Sequence, residues 1–112
     1  MADQINKVDL RHSLDRLYDV IASRKNAVAE NSYTAQLLAE APAKPAQKLC
    51  EEATEVLIEA LNYDKEKLAA ESADLLYHLL VVWVAADLNP LDVWKELDSR
   101  QGVSGLVEKQ NR

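Results

Sequence analysis

From Lys65 to Leu88 the chain contains neither Gly nor Pro, and from Leu75 onward nearly every position is apolar. Asp64 can cap such a segment and nothing inside it breaks the backbone hydrogen-bond ladder, so the spacing predicts one long helix over about 65–88. A helix that is apolar on all sides has to be enclosed by other helices, either within a bundle or across an interface between two copies. Two Gly and three Pro in 112 residues dense in Ala, Leu, Glu, Lys and Asp favour helices joined by short turns over a many-stranded sheet. The expected fold is therefore all-α: a bundle of about five helices in one domain covering residues 1–112. A chain of this length leaves much of its surface exposed when folded alone, so the bundle is expected to be completed by dimerisation.

The other helices follow from local pattern. Leu10, Leu14, Leu17 and Ile21 recur at helical spacing with Arg11, Asp15, Arg16 and Asp19 between them, which predicts a first amphipathic helix from about Val8 to Ser23. The polar stretch from Arg24 to Asn31 breaks that pattern. Ser32 can then cap a short helix carrying Tyr33, Leu37 and Leu38, which Pro42 and Pro45 close. Pro is tolerated in a first helical turn, so Pro45 is expected to open a third helix running to about Leu61. Asn62 and Tyr63 make a turn, and Asn89 with Pro90 forms a cap and first-turn pair for a fifth helix holding Leu91, Val93, Trp94 and Leu97. Gly102 and Gly105 loosen the chain, and the tail VSGLVEKQNR is expected to be mobile or to fold over a site.

Charge and composition narrow the function. A net charge of −6, from 19 acidic against 13 basic residues, should repel nucleic acid backbones. The longest apolar run, Leu79 to Ala86, falls well short of the roughly 20 residues that span a bilayer, so no membrane partner is expected. Cys50 is the single cysteine and cannot form an internal disulfide, and MADQINKVDLRHS lacks the apolar core of a secretion signal. A cytoplasmic protein is expected, with Cys50 as a small packing residue.

The acidic residues carry the chemistry. Glu52 and Glu55 lie three apart on the third helix, and Glu71 and Asp74 lie three apart on the fourth, so each pair shares one helical face. In an antiparallel hairpin turning near Asn62 to Asp64, the two pairs come to about the same level. Unit charges 4 Å apart repel by about 4 kcal/mol at an effective dielectric near 20, and a cation would relieve that conflict. All-oxygen coordination favours magnesium, manganese or calcium over zinc, and magnesium usually combines carboxylates with waters and substrate phosphates. The plainer alternative is a solvated acidic helix face. Against it stand the matched spacing, the apolar segment that follows Asp74, and Lys48 one turn before Glu52. A di-iron bundle fits less well, because its Glu-x-x-His pairs would need His where Glu55 and Asp74 stand. His78, Tyr33 and Tyr77 read as core residues, and Trp83 and Trp94 as helix packing.

The pattern Glu51-Glu52-x-x-Glu55, fifteen intervening residues, then Glu71-x-x-Asp74 resembles the signature of the all-α nucleoside triphosphate pyrophosphatases. The surrounding words SYTAQLL, KLCEEATEV, ESADLLYHLLV and SGLVEKQNR resemble the phosphoribosyl-ATP pyrophosphatase family over nearly the whole chain. The resemblance implies magnesium-dependent hydrolysis of phosphoribosyl-ATP to phosphoribosyl-AMP and pyrophosphate, in histidine biosynthesis, by a helical protein that forms a homodimer. It also implies that Glu52, Glu55, Glu71 and Asp74 are metal ligands, that Glu51 is a further member of the site, and that Lys48 contacts phosphate. Glu51 or Glu52 is the expected proton acceptor for the attacking water. Arg100, Lys109 and Arg112 are further candidates for the outer phosphates. The chain departs from the family pattern at Cys50, where Gly is common, and in the Pro- and Ala-rich APAKPAQ; both changes bear on where the metal helix starts. The rival readings are a house-cleaning pyrophosphatase acting on dUTP or damaged triphosphates, and a helical adaptor without catalysis.

Overall fold

A computed structural model of the chain describes residues 12–101. Within them lie five α-helices and one 3-10 turn, with no strand: α1 Ser13–Ser23, the 3-10 turn Ala29–Asn31, α2 Tyr33–Ala39, α3 Ala43–Leu61, α4 Lys65–Ala85 and α5 Pro90–Arg100. The expected start of the first helix, and the tail with Lys109 and Arg112, fall outside the described residues.

Side-chain caps start four of the helices. Ser32 Oγ accepts from the Ala35 amide at 3.1 Å, Asp64 Oδ1 from Lys67 at 3.0 Å and Asn89 Oδ1 from Leu91 at 2.9 Å, as the sequence leads one to expect. His12 Nδ1 does the same for Leu14 at 3.1 Å. Helix α3 starts at Ala43, before the expected opening at Pro45, and has no side-chain cap. Pro45 sits buried inside its first turn, where a missing N–H costs no intrahelical bond.

Helices α3 and α4 end in the same way, and neither uses Gly. At the end of α3, Tyr63 takes φ 57°, its amide donates to Ala60 O at 3.3 Å, and the Asp64 amide donates to Glu59 O at 3.4 Å. At the end of α4, Asp87 takes φ 56°, its amide donates to Val84 O at 3.1 Å, and the Leu88 amide donates to Trp83 O at 2.9 Å. Both are Schellman closures, which satisfy the last carbonyls by turning one residue left-handed. The second one stops α4 at Ala85, three residues short of the predicted Leu88. Asp tolerates the left-handed region, whereas Tyr63 carries a steric cost there.

The α3–α4 hairpin is the largest packing unit, α1 crosses α4, and α2 lies against both α3 and α4. Ile21, Leu37, Leu80, Val81 and Val84 form the core, flanked by Leu14, Leu17, Tyr18, Leu38, Tyr77 and Trp83. Helix α5 is tied on by aromatic residues: Trp94 Nε1 donates to Asp15 Oδ1 at 2.9 Å, and the Trp83 and Trp94 rings meet edge-on with centroids 5.7 Å apart. The Tyr18 hydroxyl donates to Leu88 O at 2.9 Å and braces the link before α5. By length and hydropathy alone, the 21 residues of α4 would suffice to cross a membrane. In this fold α4 is the central helix, supplying Leu80, Val81 and Val84 to the core.

Enclosure of α4 is incomplete. Around the hairpin turn, Leu57, Ile58 and Leu61 are exposed, as is Leu76 on α4. Cys50 is exposed too, which corrects the expectation of a small packing residue. Tyr63, at 92% exposure, has no packing to lose, so Tyr63→Gly is expected to stabilise the fold by about 1 kcal/mol through relief of its left-handed backbone. Urea unfolding of the two proteins, compared by midpoint at equal slope, checks this; a lower midpoint for the Gly variant would contradict it.

Candidate metal centre

The hairpin brings three of the predicted carboxylates together. Glu52 of α3 and Glu71 and Asp74 of α4 each offer an oxygen, and these oxygens lie within 4.8 Å of one another. Glu52 and Glu71 are partly buried and Asp74 is exposed, so the cluster opens to solvent on the Asp74 side. The convergence follows from register: Glu52 and Asp74 are equally far in sequence from Tyr63 at the turn.

Glu55 lies outside this trio but within its field. The Glu71 carboxyl is pushed above its ordinary value, first by burial and then by the negative charges of Asp74, Glu55, Glu52 and Glu59. Sequence reasoning did not single out Glu59. It stands one turn beyond Glu55, and that continued spacing was the available signal. Glu51 points elsewhere: its carboxylate accepts from Lys48 Nζ at 3.0 Å and from Gln47 Nε2 at 3.1 Å. Those bonds, the Lys48 one foremost, hold Glu51 below the usual carboxylate range. Lys48 is raised in turn, chiefly by its bond to Glu51, and its Nζ also lies 3.8 Å from Glu52 Oε1. Arg100, the other described basic candidate, binds Glu96 Oε1 through Nε at 3.1 Å and Nη2 at 3.0 Å.

Behind the carboxylates lies an aromatic layer. His78 is buried at 5% exposure, as expected of a core residue, yet its Nε2 faces Glu52 Oε1 at 3.8 Å. Tyr77 meets the imidazole edge-on at a centroid distance of 4.9 Å and Tyr33 at 6.3 Å. The Tyr77 hydroxyl is hydrogen-bonded to Thr34 Oγ1, so that ring has the satisfied core role predicted for it. Tyr33 does not: it is half-exposed at the start of α2. Burial pushes His78 below its ordinary value, and the charge of Glu52 only partly offsets this.

The donor set suits a hard cation. Glu52, Glu71 and Asp74 offer carboxylate oxygens alone, and Glu71 is raised first by burial and then by its acidic neighbours, a repulsion that a divalent ion would relieve. Three oxygens leave room for waters and phosphate, the usual manner of magnesium.

Residues 14–101 match the protein family described as phosphoribosyl-ATP pyrophosphohydrolase. The phosphoribosyl-ATP pyrophosphatase of Azospirillum brasilense is 54% identical over 99 residues, which cover 88% of this chain and 89% of that protein. The enzyme of that name from Parvibaculum lavamentivorans is also 54% identical, over 88% of this chain and 91% of its own. The one from Gluconobacter oxydans is 50% identical over 88% of this chain and 74% of its own.

A carboxyl raised by folding favours the native state while it is protonated, and that contribution is lost as pH rises through its folded value. For Glu71 the window opens near its ordinary value of 4.5 and extends upward. In chelator, the wild type is therefore expected to lose stability across this window more steeply than Glu71→Gln, and to melt below the variant at neutral pH. Added magnesium should raise the wild type and leave the variant little changed. Thermal melts from mildly acidic to neutral pH, with and without magnesium, test the order.

Proposed function

The chain belongs to the phosphoribosyl-ATP pyrophosphohydrolase family, and on that premise we infer that it hydrolyses phosphoribosyl-ATP to phosphoribosyl-AMP and pyrophosphate in histidine biosynthesis. The observation that carries this to the site is the meeting of Glu52, Glu71 and Asp74 across one hairpin. These three residues hold magnesium, with Glu55 as the fourth carboxylate beside Glu71. The ion, when bound, supplies positive charge to the phosphate oxygens and acidity to water at the site.

The remaining steps belong to the chain's own residues. Lys48 is kept charged by Glu51 and leans toward Glu52, so its Nζ is placed to take an outer phosphate oxygen. Glu51, held below the usual range, stays ionised and is a poor base; its best-supported role is to hold Lys48. Glu52, committed to the cation in this reading, is no freer to act, so neither of the two expected acceptors is assigned the proton of the attacking water. Arg100, which pairs with Glu96, is a further candidate for an outer phosphate. Lys109 completes the expected set of phosphate contacts. The displacement needs no covalent intermediate.

Two further elements belong to this reading. Leu57, Ile58 and Leu61 on α3, with Leu76 on α4, form the face of a homodimer, since burying a leucine is worth about 1.5–3 kcal/mol. The cytoplasm is the compartment, consistent with α4 serving as a core helix.

The test is pyrophosphate release with magnesium from phosphoribosyl-ATP beside ATP, dUTP and dCTP. Rapid turnover of phosphoribosyl-ATP alone, abolished by chelator, is expected. Glu55→Gln and Asp74→Asn should each lose more than about 100-fold, beyond what loss of an outer partner costs. Cleavage of dUTP instead would keep the metal centre and move the substrate to the house-cleaning class; no cleavage at all would favour the adaptor. For the dimer, sedimentation equilibrium should give twice the chain mass, and Leu57→Glu with Leu61→Glu should halve it. An unchanged mass in that double variant would place the interface elsewhere.

A further inference from the structure

We propose that His78 is a positioning residue whose Nε2–H fixes the Glu52 carboxylate in the orientation that meets Glu71 and Asp74. This rests on the reading of those three carboxylates as a metal centre.

His78 follows Asp74 by one helical turn, so it leaves α4 on the same face and reaches toward α3. Its side chain is 6% exposed and is wedged against the edges of Tyr33 and Tyr77. Nδ1 is fully buried and has no hydrogen-bond partner among the described residues. Packing alone does not account for such a residue. A buried polar atom without a partner opposes folding, so an apolar side chain of similar size would serve the core better. Some other function has to hold an imidazole here.

The surroundings assign the tautomer. With the hydrogen on Nδ1, the ring would bury an orphaned N–H and turn the bare lone pair of Nε2 toward a carboxylate oxygen. With the hydrogen on Nε2, the orphan is only a lone pair, and the N–H points at Glu52 Oε1. The 3.8 Å separation is longer than a hydrogen bond, and on this proposal Oε1 closes on Nε2 through the last Glu52 torsion, which is soft in carboxylates. Lys48 Nζ approaches the same Oε1 from Glu52's own helix, also at 3.8 Å. Two N–H groups from two helices therefore flank one oxygen of Glu52, and on this proposal the other takes the cation. An outer donor of this kind orients a metal-binding carboxylate without touching the ion or the substrate.

The experiment is manganese binding to the metal-free full-length protein, followed by electron paramagnetic resonance, for the wild type, His78→Gln, His78→Asn and His78→Leu. Glu71→Gln is the control for the centre itself, and circular dichroism confirms that each variant is folded. Gln can place an amide N–H near the position of Nε2, whereas Asn places it near Nδ1 and Leu has none. The inference expects His78→Gln to stay within a few-fold of wild type, and Asn and Leu to bind about 10- to 100-fold more weakly. A merely structural role would not rank Gln above Asn. If the Leu variant does not fold, the Gln and Asn pair alone decides. Equal binding by all four proteins, or equal weakening in Gln and Asn, overturns the positioning role while Glu71→Gln still weakens binding. If the wild type takes up no manganese, or Glu71→Gln binds as tightly, the metal-centre reading fails and the His78 role falls with it.

Discussion

The register of the α3–α4 hairpin decides everything that this surface can do. Three residues, Asn62 to Asp64, close the hairpin, and every cross-helix contact is counted from them. Tyr63 turns left-handed, the Asp64 amide reaches back to Glu59, and Asp64 then caps α4 through the Lys67 amide. Closure and restart thus share one residue, which leaves no slack for the second helix to slide. Positions equally distant from Tyr63 face each other: Glu52 stands near Asp74, and Lys48 near His78. A shift of one residue would rotate α4 by about 100° and carry Glu71 and Asp74 off the shared face.

That register is held against electrostatic resistance. Glu71 is burdened by burial and by Asp74, Glu55, Glu52 and Glu59 together, so the carboxylates oppose their own assembly. The opposing force lies farther along α4, where Leu80, Val81 and Val84 pack with Ile21 and Leu37. The same helix therefore stores repulsion in its middle and draws stability from its C-terminal third. This division explains its composition: carboxylates come first, then an apolar run that begins just after Asp74. His78 marks the boundary between the two, with its ring buried among aromatic residues and Nε2 directed at the acids.

Most of this was legible in the sequence. The caps at Ser32, Asp64 and Asn89 were readable because a short polar side chain before an apolar-periodic segment has one obvious use. The matched spacing of Glu52, Glu55, Glu71 and Asp74 showed which faces would meet, since period and turn length together determine level. What escaped depended on conformations that the residue types do not advertise. Neither Schellman closure contains Gly, so the residue pattern carries α4 on to Leu88 and gives no sign of its end at Ala85. By residue type Cys50 reads as a small packing residue and Tyr33 as a core residue, but their exposure depends on which face of α3 the other helices cover at Cys50 and on the position of Tyr33 at the very start of α2. The separation of Glu51 from the cluster follows in part from the step of about 100° between adjacent helical residues, which is readable, and in part from its capture by Lys48 and Gln47, which is not.

The unburied leucines give the hairpin a second dependence. The core grips α4 only from about Tyr77 onward, whereas the turn that sets the register lies at the other end, among Leu57, Ile58 and Leu61 with little around them. Among the described residues of a lone chain, the acidic middle of the hairpin is therefore clamped on one side by the core and held on the other by its turn. In the proposed dimer, the partner covers those leucines and clamps the turn end as well. Repulsion among the carboxylates would then act on a segment fixed at both ends, so it could not relax by splaying the two helices apart. On this argument the dimer face supports the metal centre without contributing a ligand to it, because it preserves the register on which the meeting of Glu52, Glu71 and Asp74 depends.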